Sequence, residues 1–486
     1  MGIDQDLEEY VTEVLADCEP ERSNRNKIIY DAVLGTHELK QIEINLIDSP
    51  LVQRLRYISQ TGFTYLTYPS ARHSRFEHSL GVSIMANKMA NALKANSPDF
   101  DDITFKEVRI AGLLHDIGHG PFSHTSEDII GKLPDVKEAF KDEKFKGTKP
   151  HELISYKLIN TKRFKNYFKS LCEVYGEKDV SLDNISNMII GKVSDEKYRY
   201  KSEIINGSFD SDKLDYLMRD AYFTGLKLSI DLDRLFITQK LENRKKQPKR
   251  IIGDIGGVHV LEQILFGKML LFPSVYHHHK VRACECMLKG LFEYIKENDI
   301  RFDGLKFEKV SDFLKIDDLS ILNTVGKEKN VRDRIMKIKQ RKLLKRALVI
   351  KKSTLKDPET FSDLLGLKDR GEELREIAKI INESETLKDC CEYHDIWIDL
   401  PTAPNFPEPS SYLIQQTVDR FIKLVECFPL AAWSDSYEVN KWTGYIFGPP
   451  ELQRRIGEIS QLVLEDVFDL KFDEQAQILA KYPEEE

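Results

Sequence analysis

Six of the twelve histidines in this 486-residue chain fall between His73 and His151, and the densest stretch runs His115-Asp116-Ile117-Gly118-His119-Gly120-Pro121-Phe122-Ser123-His124. Imidazoles and carboxylates together suit a divalent cation, which can leave open positions for water and a phosphate oxygen. Leu113 and Leu114 precede the doublet, so His115 and Asp116 are expected near the end of an apolar helix that holds both side chains rigidly. His119 is expected one turn on, facing the same way as His115. Gly118, Gly120 and Pro121 break that helix and restart another, which swings His124 back toward the same cavity. Neighbouring residues cannot surround an ion, so further ligands must come from elsewhere in the chain. Two candidates stand out: His78 in Arg75-Phe76-Glu77-His78, with Arg75 one turn before it, and Asp212, which opens Asp212-Lys213-Leu214-Asp215-Tyr216-Leu217-Met218-Arg219-Asp220. Two histidines and two aspartates suit Mn, Mg, Fe or Zn. His277-His278-His279 is a different case, because three consecutive side chains on a helix diverge and cannot all bind one ion.

The elements that must position these groups are mostly helices. Apolar residues recur at three- and four-residue spacing, as in Leu80, Ile84, Met85 and Met89. Asp48-Ser49-Pro50 predicts a cap and first turn of a helix running to about Gln60. Two β-prone runs between Leu235 and His259 flank a polar stretch and predict a β-hairpin inserted between helices. Four prolines between Pro401 and Pro409 predict a linker before a last helical lobe. Hydrophobic residues at 41% and charged residues at 31% fit an ordinary globular chain. A net charge of -8 argues against an overall electrostatic grip on nucleic acid, and the basic runs Arg244–Arg250 and Lys337–Lys352 read first as solvated faces. Seven cysteines form no CxxC pair and read as buried reduced thiols. No run approaches the roughly 18 apolar residues of a membrane span, and the acidic first ten residues lack the order of a signal peptide. A cytoplasmic protein that does not engage membranes is expected.

From Lys27 to about Leu291 the chain resembles the HD-domain deoxynucleoside triphosphate triphosphohydrolases, a family of animal enzymes with a SAM domain and bacterial relatives without one. The likeness is carried by Ile47-Asp48-Ser49-Pro50 leading into Gln53-Arg54-Leu55-Arg56-Tyr57-Ile58, by His73 to Gly81, Leu113 to His124, His151-Glu152, and Asp212 to Gly225. It implies a mainly α fold: an HD-domain helical core with a small inserted β-hairpin and a C-terminal, mostly helical lobe. The corresponding organisation is an N-terminal segment over 1–26, an HD core over 27–292 with its hairpin at about 235–259, a regulatory or oligomerisation lobe over 293–400, and a C-terminal helical region over 401–486.

The same resemblance implies that His78, His115, Asp116 and Asp212 hold the metal, while Arg75 and Lys213 contact the substrate phosphates. Gln60 and Tyr216 fall around the deoxyribose, and Asp220 at its 3'-hydroxyl. His124 falls at the general acid with Glu127 as its carboxylate partner, and His119 and His151 at other active-site histidines. Chemistry agrees: cleaving the ester between the 5'-oxygen and the α-phosphorus needs an activated water, neutralised phosphate charge and a proton for the leaving alkoxide. Tyr216 and Asp220, one turn apart, give one helix face that can stack on a sugar or base and bind its hydroxyl.

Asp48, Gln53 and Arg56 keep the residue types and spacing with which the family's animal members read a guanine edge, which implies a guanine-nucleotide activator and a homo-oligomer, dimer or tetramer. Their spacing fits one helix and its cap, and Arg332 with the basic run after Lys337 supplies candidates for the activator's phosphates. Tyr30 replaces an asparagine of that pocket, His277 stands at an aromatic substrate contact, and Lys268 or Met269 replaces an arginine, so base preference is open. Other HD hydrolases carry HDxxED or HDxGK, unlike the Gly118-His119-Gly120 found here. An HD-type phosphatase or phosphodiesterase acting on another nucleotide remains the enzymatic alternative. A nucleotide-sensing scaffold is the non-enzymatic one.

Overall fold

Ser74 starts the 22-residue helix Arg75–Asn96: its hydroxyl accepts from the Phe76 N–H, and Glu77 reaches back to the Ser74 N–H at 2.7 Å, closing a capping box. Arg75 and His78 therefore occupy the first turn of a rigid, largely buried element. The helix Thr104–Leu114 packs against it closely because position 112 is glycine; a Cβ there would stand 3.0 Å from the Ser83 backbone. That approach brings His115, at the helix end, beside His78. The helix Ser211–Thr224 packs on Arg75–Asn96 from another side, capped by Asp210, whose carboxylate accepts from the Lys213 N–H at 2.7 Å.

The computed structural model describes residues 2–22, 25–97, 100–242, 244, 247–323, 328–402, 408–417, 420–428, 433 and 441–482. With 59% helix and 10% strand, the fold is mainly α. The strands are β1 (Lys27–Asp31), β2 (Gly35–Leu39), β3 (Gln239–Leu241), β4 (Ile251–Asp254), β5 (Lys345–Ile350), β6 (Trp397–Asp399), β7 (Leu413–Thr417), β8 (Arg420–Lys423) and β9 (Gly444–Gly448). The chain forms two compact units, each discontinuous in sequence. One comprises Met1–Lys268, Phe307–Ile321 and Phe406–Pro429; it holds the His/Asp cluster, the β1–β2 hairpin and the sheet β3-β4-β7-β8. The other comprises Met269–Lys306, Leu322–Asn405 and Leu430–Glu486, with the antiparallel sheet β5-β9-β6. Its core joins Leu348, Ile350 and Ile446 of that sheet to Ile377 and Ile381 of the helix Gly371–Asn382 and Ile456 of the helix Gln453–Phe468.

Several local expectations change. The helix predicted to run to Gln60 is Pro50–Gln53 followed by a 3-10 turn, Arg54–Tyr57; Ser49 sits at its cap but its hydroxyl donates back to the Leu46 carbonyl. β3 and β4 do pair antiparallel, from Gln239 opposite Gly253 to Leu241 opposite Ile251, but Leu232–Thr238 is a helix capped by Asp231 rather than strand. Most of the proline-rich linker, 403–407, lies outside the described residues. One helix, Ile255–Tyr276, is after all long and apolar enough to cross a membrane by length and composition, and half of its most apolar window is buried inside protein. Of the seven free cysteines, Cys172, Cys284 and Cys286 are buried, whereas Cys390 is exposed.

Candidate metal centre

Two imidazoles are fixed with one nitrogen engaged and the other bare. His78 Nδ1 lies 2.8 Å from Asp215 Oδ2, and His115 Nδ1 lies 2.7 Å from the Gly112 carbonyl. Both partners accept, so each ring donates from Nδ1 and turns Nε2, the atom left to bind a cation, toward the cluster. Both Nε2 atoms are buried and make no hydrogen bond. His78 Nε2 stands 3.0 Å from Asp212 Oδ1 and 3.6 Å from Asp116 Oδ2, and His115 Nε2 stands 3.2 Å from Asp116 Oδ1 and 3.9 Å from Asp212 Oδ1. Ligands about 2.1 Å from one ion and at right angles lie about 3 Å apart, so these separations suit a common divalent cation. Buried nitrogens left bare are costly unless such a partner is present. The donor set, two nitrogens and two carboxylates, fits Mn, Mg, Fe or Zn.

The electrostatics point the same way. Burial alone would lower the His78 pKa, but Asp212, Asp215 and Asp116 outweigh it and push it up to about 10, the mark of a site that attracts positive charge. Burial would raise Asp116, yet Arg75, His115 and His119 hold it well below the usual carboxylate range; His78 and His115 do the same for Asp212.

Arg75 borders this cluster as a buried hub. Its Nη1 donates to Asp116 Oδ2 at 2.6 Å and its Nε to Ser123 Oγ at 2.8 Å, with Nη2 3.4 Å from both the Gln60 carbonyl and His124 Nε2. Gln60 is buried and its Oε1 has no hydrogen-bond partner. Glu127 bridges two imidazoles, with Oε2 2.6 Å from His124 Nδ1 and Oε1 2.7 Å from His151 Nδ1. Against burial, His151 and His124 hold Glu127 well below the usual range, and Glu127 in turn raises His151. His151 stacks on His119 with ring centroids 4.0 Å apart, and burial, with Arg75 and His151 close by, keeps His119 well below the usual histidine range. The His124 side chain is 64% exposed, with its Nε2 meeting only the long contact from Arg75 among the described residues.

The structure thus brings His78, His115, Asp116, Asp212, Arg75, Gln60, His119, His124, Glu127 and His151 into one connected site. His119 arrives differently from expectation: the helix ends at Leu114, and a turn rather than a continued helix face carries His119 Nε2 to within 3.5 Å of Asp116 Oδ1. Lys213 Nζ is held by Asp210 Oδ2 at 2.6 Å and the Gly207 carbonyl at 2.9 Å. Asp220 pairs through Oδ1 with His73 Nε2 at 2.7 Å, one turn along the same helix from the half-buried Tyr216. Asp48, Gln53 and Arg56 are not on one helix: Asp48 ends Gln41–Asp48 and pairs with Lys27, Gln53 ends Pro50–Gln53, and Arg56 lies in the 3-10 turn. Gln53 Oε1 accepts from Arg56 Nε at 2.8 Å, and the Arg56 guanidinium lies 3.5 Å over the Phe76 ring. The triple histidine does not lie on one helix: His277 follows the π-helical turn Phe272–Tyr276, His278 caps the helix His279–Glu297, and the His278 and His279 rings stack with centroids 4.5 Å apart rather than diverging. Sequence reasoning missed Asp215, Ser123 and the His73–Asp220 pair. The i, i+3 spacing of Asp212 and Asp215 was the available signal for the first, since it puts both carboxylates on the face toward His78.

Residues 75–219 match the HD domain and residues 230–478 the HD associated region. An uncharacterized protein of Methanocaldococcus jannaschii is 30% identical over 445 residues, 89% of this chain and 81% of that one. The deoxynucleoside triphosphate triphosphohydrolase SAMHD1 of Homo sapiens is 30% identical over 357 residues, 66% of this chain and 54% of the human protein. Its homolog in Dictyostelium discoideum is 32% identical over 302 residues, 60% of this chain and 54% of that protein. The chain therefore spans about half the length of these two enzymes. The crystal structure of a hypothetical protein from Aquifex aeolicus superposes with a TM-score of 0.63 at 26% identity, covering 90% of this chain and 100% of that one.

Proposed function

The chain belongs to the family of HD-domain proteins with an HD associated region, and from that premise we propose that it cleaves deoxynucleoside triphosphates to deoxynucleoside and triphosphate with a divalent metal. The observation that carries this reading is the pair of buried, bare His78 and His115 Nε2 atoms turned toward Asp116 and Asp212, with Arg75 on one side and the exposed His124–Glu127 pair beside it.

His78, His115, Asp116 and Asp212 would hold the metal, which when bound supplies a Lewis acid for a phosphate oxygen and lowers the pKa of a bound water. Arg75 neutralises charge on the phosphates, and its bond to Asp116 ties that carboxylate to the substrate's position. His124 Nε2 donates a proton to the departing 5'-oxygen, while Glu127 at Nδ1 stabilises the charged ring and fixes its orientation. His119 and His151 face the same phosphates. Lys213 serves them once it leaves Asp210, and Gln60, Tyr216 and Asp220 bind the sugar. Asp48, Gln53 and Arg56 form the guanine-reading part of an activator site in a cytoplasmic homo-oligomer. The test is a panel of every dNTP and NTP with Mn or Mg, with products identified. Triphosphate and deoxynucleoside support the proposal, whereas pyrophosphate or orthophosphate indicates a phosphatase or phosphodiesterase of the same family.

A further inference from the structure

Behind His78 runs a chain of buried charges that the proposed chemistry does not use. Asp215 Oδ2 accepts from His78 Nδ1 at 2.8 Å, and the same carboxylate takes a bidentate pair from Arg219, Nε to Oδ2 and Nη2 to Oδ1, each at 2.8 Å. Arg219 Nη1 then donates to Asp31 Oδ2 at 2.9 Å. The other oxygen of Asp31 accepts the Val33 and Leu34 N–H groups at 2.9 and 2.7 Å, so the chain ends in the turn between β1 and β2. All three side chains are buried.

Two further features bear on how this chain meets His78. Gly81, one turn after His78 on the same helix, leaves the space: a Cβ there would stand 2.0 Å from Asp215 Oδ1 and 2.2 Å from Arg219 Nη2. One arginine between two carboxylates also leaves one negative charge uncompensated in the interior. Such a charge is costly unless positive charge lies close by, and here its nearest neighbour is the imidazole of a metal ligand.

We propose that Asp215, Arg219 and Asp31 are positioning residues for the metal, a relay that fixes the His78 tautomer and orientation and anchors them to the β1–β2 turn. It rests on the metal centre proposed above, and a carboxylate behind a ligating histidine raises that ligand's basicity. The bidentate contact from Arg219 fixes the plane of the Asp215 carboxylate and so aims the oxygen that His78 meets.

The test is Mn2+ affinity of the full chain, measured by calorimetry with chelator competition. Asp215→Asn weakens Mn2+ binding by about 10- to 100-fold, the usual effect of losing such an outer partner. Asp31→Asn is the sharper variant, because its amide oxygen still accepts from Val33 and Leu34 while its NH2 faces Arg219. It should weaken Mn2+ binding severalfold with the helical spectrum unchanged. Asp6→Asn, which disturbs the buried Asp6–Ser311 contact of the same unit, costs stability but leaves Mn2+ affinity within twofold. A folded Asp31→Asn protein with wild-type Mn2+ affinity overturns the relay. Independently of any variant, long-range 1H–15N spectra of the Zn2+-loaded wild type should show His78 protonated at Nδ1, and an Nε2–H ring overturns it as well. A protein that passes these tests but cleaves no dNTP refutes the hydrolase reading and leaves the relay standing, whereas a wild type that binds no divalent ion refutes both.

Discussion

Removing one imidazole or one carboxylate from the His78, His115, Asp116 and Asp212 set takes away one of four donors and leaves the buried charge of the others without its full complement of ligands around a cation. His115→Ala and Asp116→Ala should therefore abolish turnover and bound metal while far-ultraviolet circular dichroism stays close to wild type; full activity with either variant would remove the metal centre. His124→Ala acts at a separate step. It should keep metal and substrate binding but lose about 10²–10⁴-fold in rate, and a loss under tenfold at unchanged metal content would exclude His124 as proton donor. At this scale the sequence was informative where a motif lies on one helix, as for Arg75 with His78 and for Asp212 with Asp215, each pair one turn apart, and less so for His119, which a turn delivers. What it could not tell was which carboxylate serves which atom. Asp212 and Asp215 are one turn apart, and only the fold assigns the first to His78 Nε2 and the second to Nδ1.

The turn between His115 and His124 is the element on which the site depends. Phe122 and Ser123 both have positive φ, 54° and 53°, although neither is glycine, which costs of order 1–3 kcal/mol each unless surrounding contacts hold them. Asp318 supplies such a hold, with Oδ1 accepting from the Phe122 N–H at 2.6 Å and Oδ2 from the Ser59 N–H at 2.9 Å. Burial pushes the Asp318 carboxyl up to about 6, against these donors and with a further rise from Asp317, while Arg54 is the cation that shares the field of both. A carboxyl raised this way binds its proton more tightly folded than unfolded. Its contribution to stability is full below the unfolded value and is lost as pH rises through about 6. Relative to Asp318→Asn, the wild type should lose roughly 1 kcal/mol of stability between pH 5 and pH 7 in paired denaturant titrations. A difference independent of pH would contradict that assignment. The glycines and proline of this stretch made a helix break legible. The strained pair and its distant anchor were not, because they arise from contacts about two hundred residues apart in sequence.

For the whole molecule, the sequence correctly indicated a mainly helical chain but not the sheet β5-β9-β6. Strand β9 is buried along its whole length and β5 over its last four residues, so neither shows the alternation that marks a half-exposed strand. The interleaving of the two units was equally hidden, since Phe307–Ile321 and Phe406–Pro429 return to the first unit without any local signal. Regulation belongs to this scale: hydrolysis of another dNTP should rise when dGTP or GTP is added, and Arg56→Ala should abolish the rise without changing metal content. Activity indifferent to guanine nucleotides would remove the activator site and leave the catalytic one. The central claim, metal-dependent cleavage at the α-phosphorus, is tested most directly by hydrolysing dGTP with Mn2+ in 18O-labelled water and identifying the products by mass spectrometry. The account predicts unlabelled deoxyguanosine and triphosphate carrying one 18O; pyrophosphate, orthophosphate or label in the nucleoside would contradict it.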